Sequence, residues 1–183
     1  MHQRNMLINV AAALVAFAGG ASLAADKYTL SVPGGLAFSE FRGYESWQVI
    51  NVSQNGALLA VILGNPTMIS AYQAGIPGNG KPFPDGAKMA KVHWDPKKNL
   101  TAPGQPTVGG TQHDVDFMVK DSKRFADSGG WGYAVFAYDV ASASFKPGDL
   151  TNKPPQGNDA KCGAACHTVA KQRDFVFTEY ANR

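Results

Sequence analysis

Apolar and β-branched residues recur along this chain in short stretches cut off by glycine and proline, the rhythm of strands and turns rather than of long helices. Five such stretches, over 47–52, 58–63, 89–94, 115–119 and 132–138, predict short strands. Turn signals between them are dense: Pro33-Gly34-Gly35, Pro77-Gly78-Asn79-Gly80, Pro84-Asp85-Gly86, Pro103-Gly104, Gly129-Gly130 and Pro147-Gly148. Short strands joined in this way predict an antiparallel sheet. Along 89–94 the alternation sets Met89, Lys91 and His93 on one side and Ala90, Val92 and Trp94 on the other, with Lys88 on the second side.

Helix signals are fewer. Asn65 can cap a helix with Pro66 at its first position and Gly75 just past its end, predicting a helix over 66–74. Asp121 caps a second short one through Ala126, closed by Ser128-Gly129-Gly130. A third is expected from about 159 to 173, and a short turn near 38–47. The stretch 146–158, with three prolines, is a loop leading into the third helix. The sum is an α+β fold: a predominantly antiparallel β-sheet with a few short helices, one of them C-terminal.

The N-terminus departs from this rhythm. Arg4 is followed by an apolar stretch over 6–18 and a small-residue tail, Ala21-Ser22-Leu23-Ala24-Ala25, which reads as a secretory signal peptide over 1–24. The alternative is a retained anchor, but Ala24 is small and the charged Asp26 and Lys27 follow at once. No later run of about 20 apolar residues could span a membrane, so residues 25–183 are expected to form a single soluble, periplasmic domain. The formal net charge of +3 includes Arg4 of the leader, and lysines are scattered as Lys97-Lys98, Lys120, Lys123-Arg124 and Lys171. That scatter lacks the stripe a phosphate backbone requires, so nucleic acid is not an expected partner.

Chemistry concentrates in the third helix. Lys161-Cys162-Gly163-Ala164-Ala165-Cys166-His167 holds both cysteines of the chain, with a histidine directly after the second. Two thiols and an adjacent imidazole are how a c-type haem is held: thioethers to the porphyrin vinyl groups, and the histidine on the iron. The usual spacing is C-x-x-C-H, and here three residues intervene. On an α-helix residues three and four apart share a face, so Cys162 and Cys166 still point the same way, and Gly163-Ala164-Ala165 leaves room for a porphyrin edge.

Other chemistries remain open to the cysteines. A disulfide between Cys162 and Cys166 is feasible, since helical i,i+4 Cα atoms lie about 6 Å apart. A zinc site needs further ligands, and His2, His93 and His113 offer no local partner pair at metal spacing. Two free thiols are the third alternative. No methionine follows the motif to supply a downstream axial ligand, so a haem iron here can keep one face open for a small molecule.

The motif, together with Thr168, Lys171 and the run Asp174-Phe175-Val176-Phe177-Thr178, resembles the C-terminal signature of the cytochrome P-460 family. Upstream, Phe83-Pro84-Asp85-Gly86 with Lys91, then Val119-Lys120-Asp121-Ser122-Lys123-Arg124-Phe125-Ala126 and Gly130-Trp131-Gly132-Tyr133, match the family in order. The resemblance implies a small, often dimeric α+β protein carrying one covalently attached haem c, with a C-terminal haem-attachment helix and a proximal histidine, here His167. One branch oxidises hydroxylamine and has a lysine tied to the porphyrin. The sister branch, the cytochromes c′-beta, lacks the tie and binds NO or CO at an open distal face.

Lys91 matches the crosslinking lysine, and crosslink, non-bonded contact and surface residue all remain open for it. Oxidising hydroxylamine, or NO, also requires a proton acceptor near the open iron face and an external electron acceptor, expected to be a soluble cytochrome c. Asp116 and Asp159 are the candidate acceptors, although Asp159 can equally cap the haem helix. Phe83, Phe117, Phe136 and Trp131 are expected in the core. The expected function is thus a periplasmic mono-haem cytochrome oxidising hydroxylamine at a five-coordinate haem, or alternatively a gas-binding or electron-carrying haem protein.

Overall fold

The computed structural model describes residues 26–32, 35–148, 152–153 and 156–183, with side chains described outside 55 and 152–162. The leader expected over 1–24 lies outside the described residues.

Six strands form one antiparallel sheet in which each pairs with the next: β1 (Gln48–Asn55), β2 (Leu58–Gly64), β3 (Lys88–Lys98), β4 (Thr107–Lys120), β5 (Trp131–Asp139) and β6 (Ser144–Pro147). Four of the five expected strands match closely. The expected strand over 115–119 is the inner third of β4, whose outer part alternates exposed and half-buried positions such as Thr107, Gly109 and Gln112. That polar, glycine-bearing half forms an extended hairpin with the end of β3 and hides its strand character from any apolar pattern. β6 is a short partly exposed strand, missed for the same reason. Two further two-residue strands, β7 (Asn152–Lys153) and β8 (Gln156–Gly157), pair within the segment read as a loop.

Asn65 caps α1 (Pro66–Gln73) as expected: its side chain accepts a hydrogen bond from the Met68 N–H, and Gly75 follows at φ +85°. The expected helix from Asp121 is instead a turn. The Asp121 carboxylate does accept from the Arg124 N–H at 2.9 Å, but the chain passes into a 3-10 turn over Ala126–Ser128. The C-terminal helix α2 spans Asn158–His167 and gives way to a 3-10 segment, Thr168–Arg173, so His167 ends the regular helix rather than lying inside it.

The sheet has two buried faces. On the first, Leu63, Ala90, Val92, Val115, Phe117, Ala134 and Phe136 pack against Leu36, Phe38, Phe41 and Tyr44 of the segment preceding β1. Phe117 is its hub, stacked on Phe41 at 4.0 Å and edge-on to Phe38 and Tyr44. On the second, Ile50, Ile62, Met89, Met118, Trp131 and Tyr133 pack against α1, Phe83 and Val176. Phe83, Phe117, Phe136 and Trp131 are thus core residues, as expected.

A buried ion pair pins the C-terminal segment to the second face. Lys120 Nζ lies 2.7 Å from Asp174 Oδ1 and donates to the Gly129 carbonyl at 2.9 Å. The other Asp174 oxygen accepts from the Phe83 N–H at 2.7 Å, and its carbonyl accepts from the Trp131 indole at 2.8 Å. Beyond it the tail runs along β1, where a bulge at Ile50 frees a carbonyl for the Ala181 N–H.

Two substitutions test these contacts by urea unfolding. Phe117→Ala is expected to cost about 3–5 kcal/mol through the cavity it opens. Asp174→Ala is expected to cost about 3–5 kcal/mol because the Lys120 ammonium is left buried without its counter-ion; a loss under about 1 kcal/mol in either case contradicts the assignment.

Candidate haem site

The second face carries a cleft of about 980 Å³, at the upper end of the ~300–1,000 Å³ typical of cofactor and ligand pockets. Strand register builds its floor in rows. Met89, Met118 and Tyr133 form one row across β3, β4 and β5, lying against α2 and the tail. Ile62, Lys91, Asp116 and Val135 form the next, across four strands. Gly163, Cys166 and His167 from α2 and residues 176–179 of the tail complete the wall.

His167 is half-buried, and its Nδ1 lies 2.6 Å from the Phe175 carbonyl oxygen. A carbonyl only accepts, so Nδ1 carries the hydrogen and Nε2 keeps its lone pair. Metal-binding histidines are held in the same way, by a partner on the second ring nitrogen. The carbonyl is aimed by Asp174 and Phe175, both at positive φ (50° and 64°), which turn the chain back beneath α2. Rings of Tyr133 and Phe177 flank the imidazole at 5.1 and 4.8 Å. Burial pushes its pKa down, the Phe175 carbonyl draws it partly back, and the positive charge of Lys91 lowers it again. The imidazole is therefore neutral at pH 7, the form in which it ligates a metal.

The remaining sequence candidates fall as follows. Lys91 and Asp116 are direct register partners and both line the cleft. Lys88, of opposite parity, is turned to the other face, where its Nζ donates to the Glu40 carbonyl at 2.5 Å. Cys166 carries a free, exposed thiol on the cleft wall. Cys162 precedes it by four residues in α2, on the same helical face. Its side chain, like that of Asp159, lies outside the described residues. Since α2 begins at Asn158, Asp159 falls within the first turn rather than at a cap.

Three features were out of reach of sequence reading. A Cβ at Gly163 would meet the Tyr133 side chain at 3.2 Å; the small residue lets α2 lie against β5, besides leaving room at the cleft. The Phe175 carbonyl is a main-chain partner with no side-chain signature. His93 and His113, expected to lack local partners at metal spacing, both reach Asp114: their Nδ1 atoms lie 2.5 and 2.6 Å from its two oxygens. Strand pairing makes the first of these contacts, which linear spacing cannot show.

This donor set fits a haem. A mostly apolar cleft of ligand size is walled by a helix that ends in a neutral, main-chain-tethered imidazole, with a thiol one residue before it. Lys91 and His167 line the same cleft. Among the described residues no helix is long and apolar enough to cross a membrane. A search of curated proteins returns no match to the chain. The profile of the family described as Cytochrome P460 matches residues 41–178, from the turn before β1 to the tail that closes the cleft. On that match, most of the chain's length and all the strands of its main sheet belong to the cytochrome P460 family of haem proteins.

Proposed function

We propose that the mature chain is a periplasmic c-type cytochrome, with one covalently held haem, that oxidises hydroxylamine or NO. The observation that carries this reading is the Lys91–Asp116 pair on the floor of a mostly apolar cleft that His167 also lines. When bound, the haem would supply an iron that takes the small nitrogen compound and passes its electrons to an external carrier such as a soluble cytochrome c.

The chain's own residues do the rest. His167 offers Nε2 as the proximal ligand while Nδ1–H holds its ring plane through Phe175. The thiols of Cys162 and Cys166 add across the two vinyl groups, an addition in which each S–H proton moves to carbon and no oxidant is consumed. Asp116 takes the protons that hydroxylamine loses, at a carboxylate oxygen, with Asp159 as the second candidate. Lys91 lies beside it, and a bond from its Nζ to a porphyrin edge carbon would break one N–H and one C–H bond, the two protons and two electrons leaving to the solvent and to the same class of external electron acceptor. Ile62, Met118 and Val135 keep water away from the open face.

A non-catalytic reading, NO or CO binding of the c′-beta kind or simple electron carriage, is favoured by those apolar neighbours. The two are separated by turnover. Protein made with a cytochrome c maturation system is expected to show a Soret band and a mass raised by one haem; a colourless product with Cys162 and Cys166 oxidised to a disulfide overturns the haem assignment. His167→Ala is expected to shift the Soret band while leaving the mass increase intact.

With hydroxylamine and an artificial acceptor, Asp116→Asn is expected to lower turnover about 10²-fold or more, the loss of a general base, with an unchanged ferric spectrum. Absence of turnover in the unmodified protein decides for the non-catalytic reading. Tryptic mapping addresses Lys91: its peptide should travel with the haem peptide, and a free Lys91 peptide removes the crosslink.

A further inference from the structure

Beyond the Lys91–Asp116 row lies a third row that the haem reading does not use. His93 of β3 and Asp114 of β4 are direct register partners, and Asp116 follows Asp114 by two residues on the same face. His93 is 8% exposed, unusual for an imidazole on a strand that has solvent at its far end. Its Nδ1 lies 2.5 Å from Asp114 Oδ1 and 3.8 Å from Asp116 Oδ2. Two carboxylates therefore converge on one ring nitrogen, which has a single hydrogen to give.

A local irregularity adds a fourth donor. His93 pairs with Asp114 but Trp94 pairs with Gln112, so His113 is an extra residue in β4, a bulge. In a regular strand His113 would point away from Asp114. Here its Nδ1 lies 2.6 Å from Asp114 Oδ2. Bulges re-aim side chains in this way beside functional sites. Burial pushes the Asp114 carboxyl up, but hydrogen bonds from His93 and His113 outweigh it and hold it below the ordinary range. Asp114 is thus an anion with an imidazole on each oxygen.

We propose that His93, Asp114 and Asp116 form a binding site for a divalent transition metal of the zinc class, with His113 steadying Asp114 or completing the set. One nitrogen and two carboxylate oxygens, all within 4.8 Å of one another, match the imidazole and carboxylate ligands such ions take at about 2.0–2.2 Å. A dication replaces the one shared hydrogen and matches the two carboxylates in charge. Asp116 also lines the haem cleft, so the ion would share a wall with it. The site draws on neither cysteine nor His167 and shares only Asp116 with the proposed reaction, whose base would be occupied while the ion is bound, so metal affinity and haem content are read separately.

Untagged full-length protein, purified with its haem and stripped with a chelator, is titrated with zinc chloride by calorimetry. One zinc per chain is expected. His93→Ala and Asp114→Asn should each weaken it by more than the ~10–100-fold that loss of an outer-shell partner costs, and His113→Ala by a loss within that range.

The unmodified protein loaded with one equivalent of Cu²⁺ gives a second measurement that needs no variant, since its electron spin resonance should show nitrogen coupling. Less than stoichiometric zinc, undiminished affinity in the His93→Ala/Asp114→Asn protein, or copper without a nitrogen ligand overturns the site. Haem content, read from the Soret band of the same samples, reports the other assignment separately.

Discussion

The buried ion pair between Lys120 and Asp174 is the constraint on which the arrangement of the cleft rests. Taking two charges out of water is costly, and the pair is tolerable because Gly129 accepts from the ammonium and Phe83 donates to the carboxylate, while the Trp131 indole holds the Asp174 main-chain carbonyl. Those partners come from two stretches, 129–131 and the segment before β3, so with its own two residues the pair draws the end of β4, the start of β5, the segment before β3 and the C-terminal chain to one corner. Asp174 also begins the two-residue reversal that aims the Phe175 carbonyl at His167. The orientation of the His167 imidazole is thus fixed by an electrostatic contact made on the far side of the turn.

The same corner explains the family-like blocks of the sequence. Asp85 of the Phe83-Pro84-Asp85-Gly86 run accepts from the Ser122 N–H and hydroxyl at 2.8 and 2.7 Å, and the Gly86 N–H reaches the Lys120 carbonyl. Gly130, ahead of Trp131, receives the Asp121 N–H on its carbonyl. A Cβ at Gly129, which sits at φ +68°, would fall 2.1 Å from the Phe175 ring. These blocks hold the frame in which α2 is presented. Of these blocks, Lys91, Tyr133, the helix and residues 176–178 of the tail reach the cleft.

Legibility in the sequence followed the range of the interactions. The Asn65 cap, the alternation of β3 and the helical phase of the cysteines are set within a few residues, and each could be read. Lys91 facing the cleft with Lys88 turned away is a direct result of that alternation. The pairing of Lys91 with Asp116, the Asp114 cluster and the tie of His167 to Phe175 depend on register and reversal, which a linear pattern does not encode. β4 was read short because its outer half has polar residues on both sides and nothing to alternate against. The turn after Asp121 was read as helix because a capping side chain serves either structure when only its first few hydrogen bonds are considered.

The pleat of β4 has a further consequence. Val115, Phe117 and Val119 hold the aromatic core, while Asp114, Asp116 and Met118 face the cleft and its neighbouring cluster. Odd positions pack the aromatic core and even positions line the cleft and the cluster beside it, so the two demands on this strand are written in separate, interleaved alphabets. A lineage could rewrite the even letters, exchanging carboxylate for hydrocarbon or amide, and keep the same folded body. Two branches of one family, one reactive and one merely binding gas, could diverge along such a strand without a change of architecture.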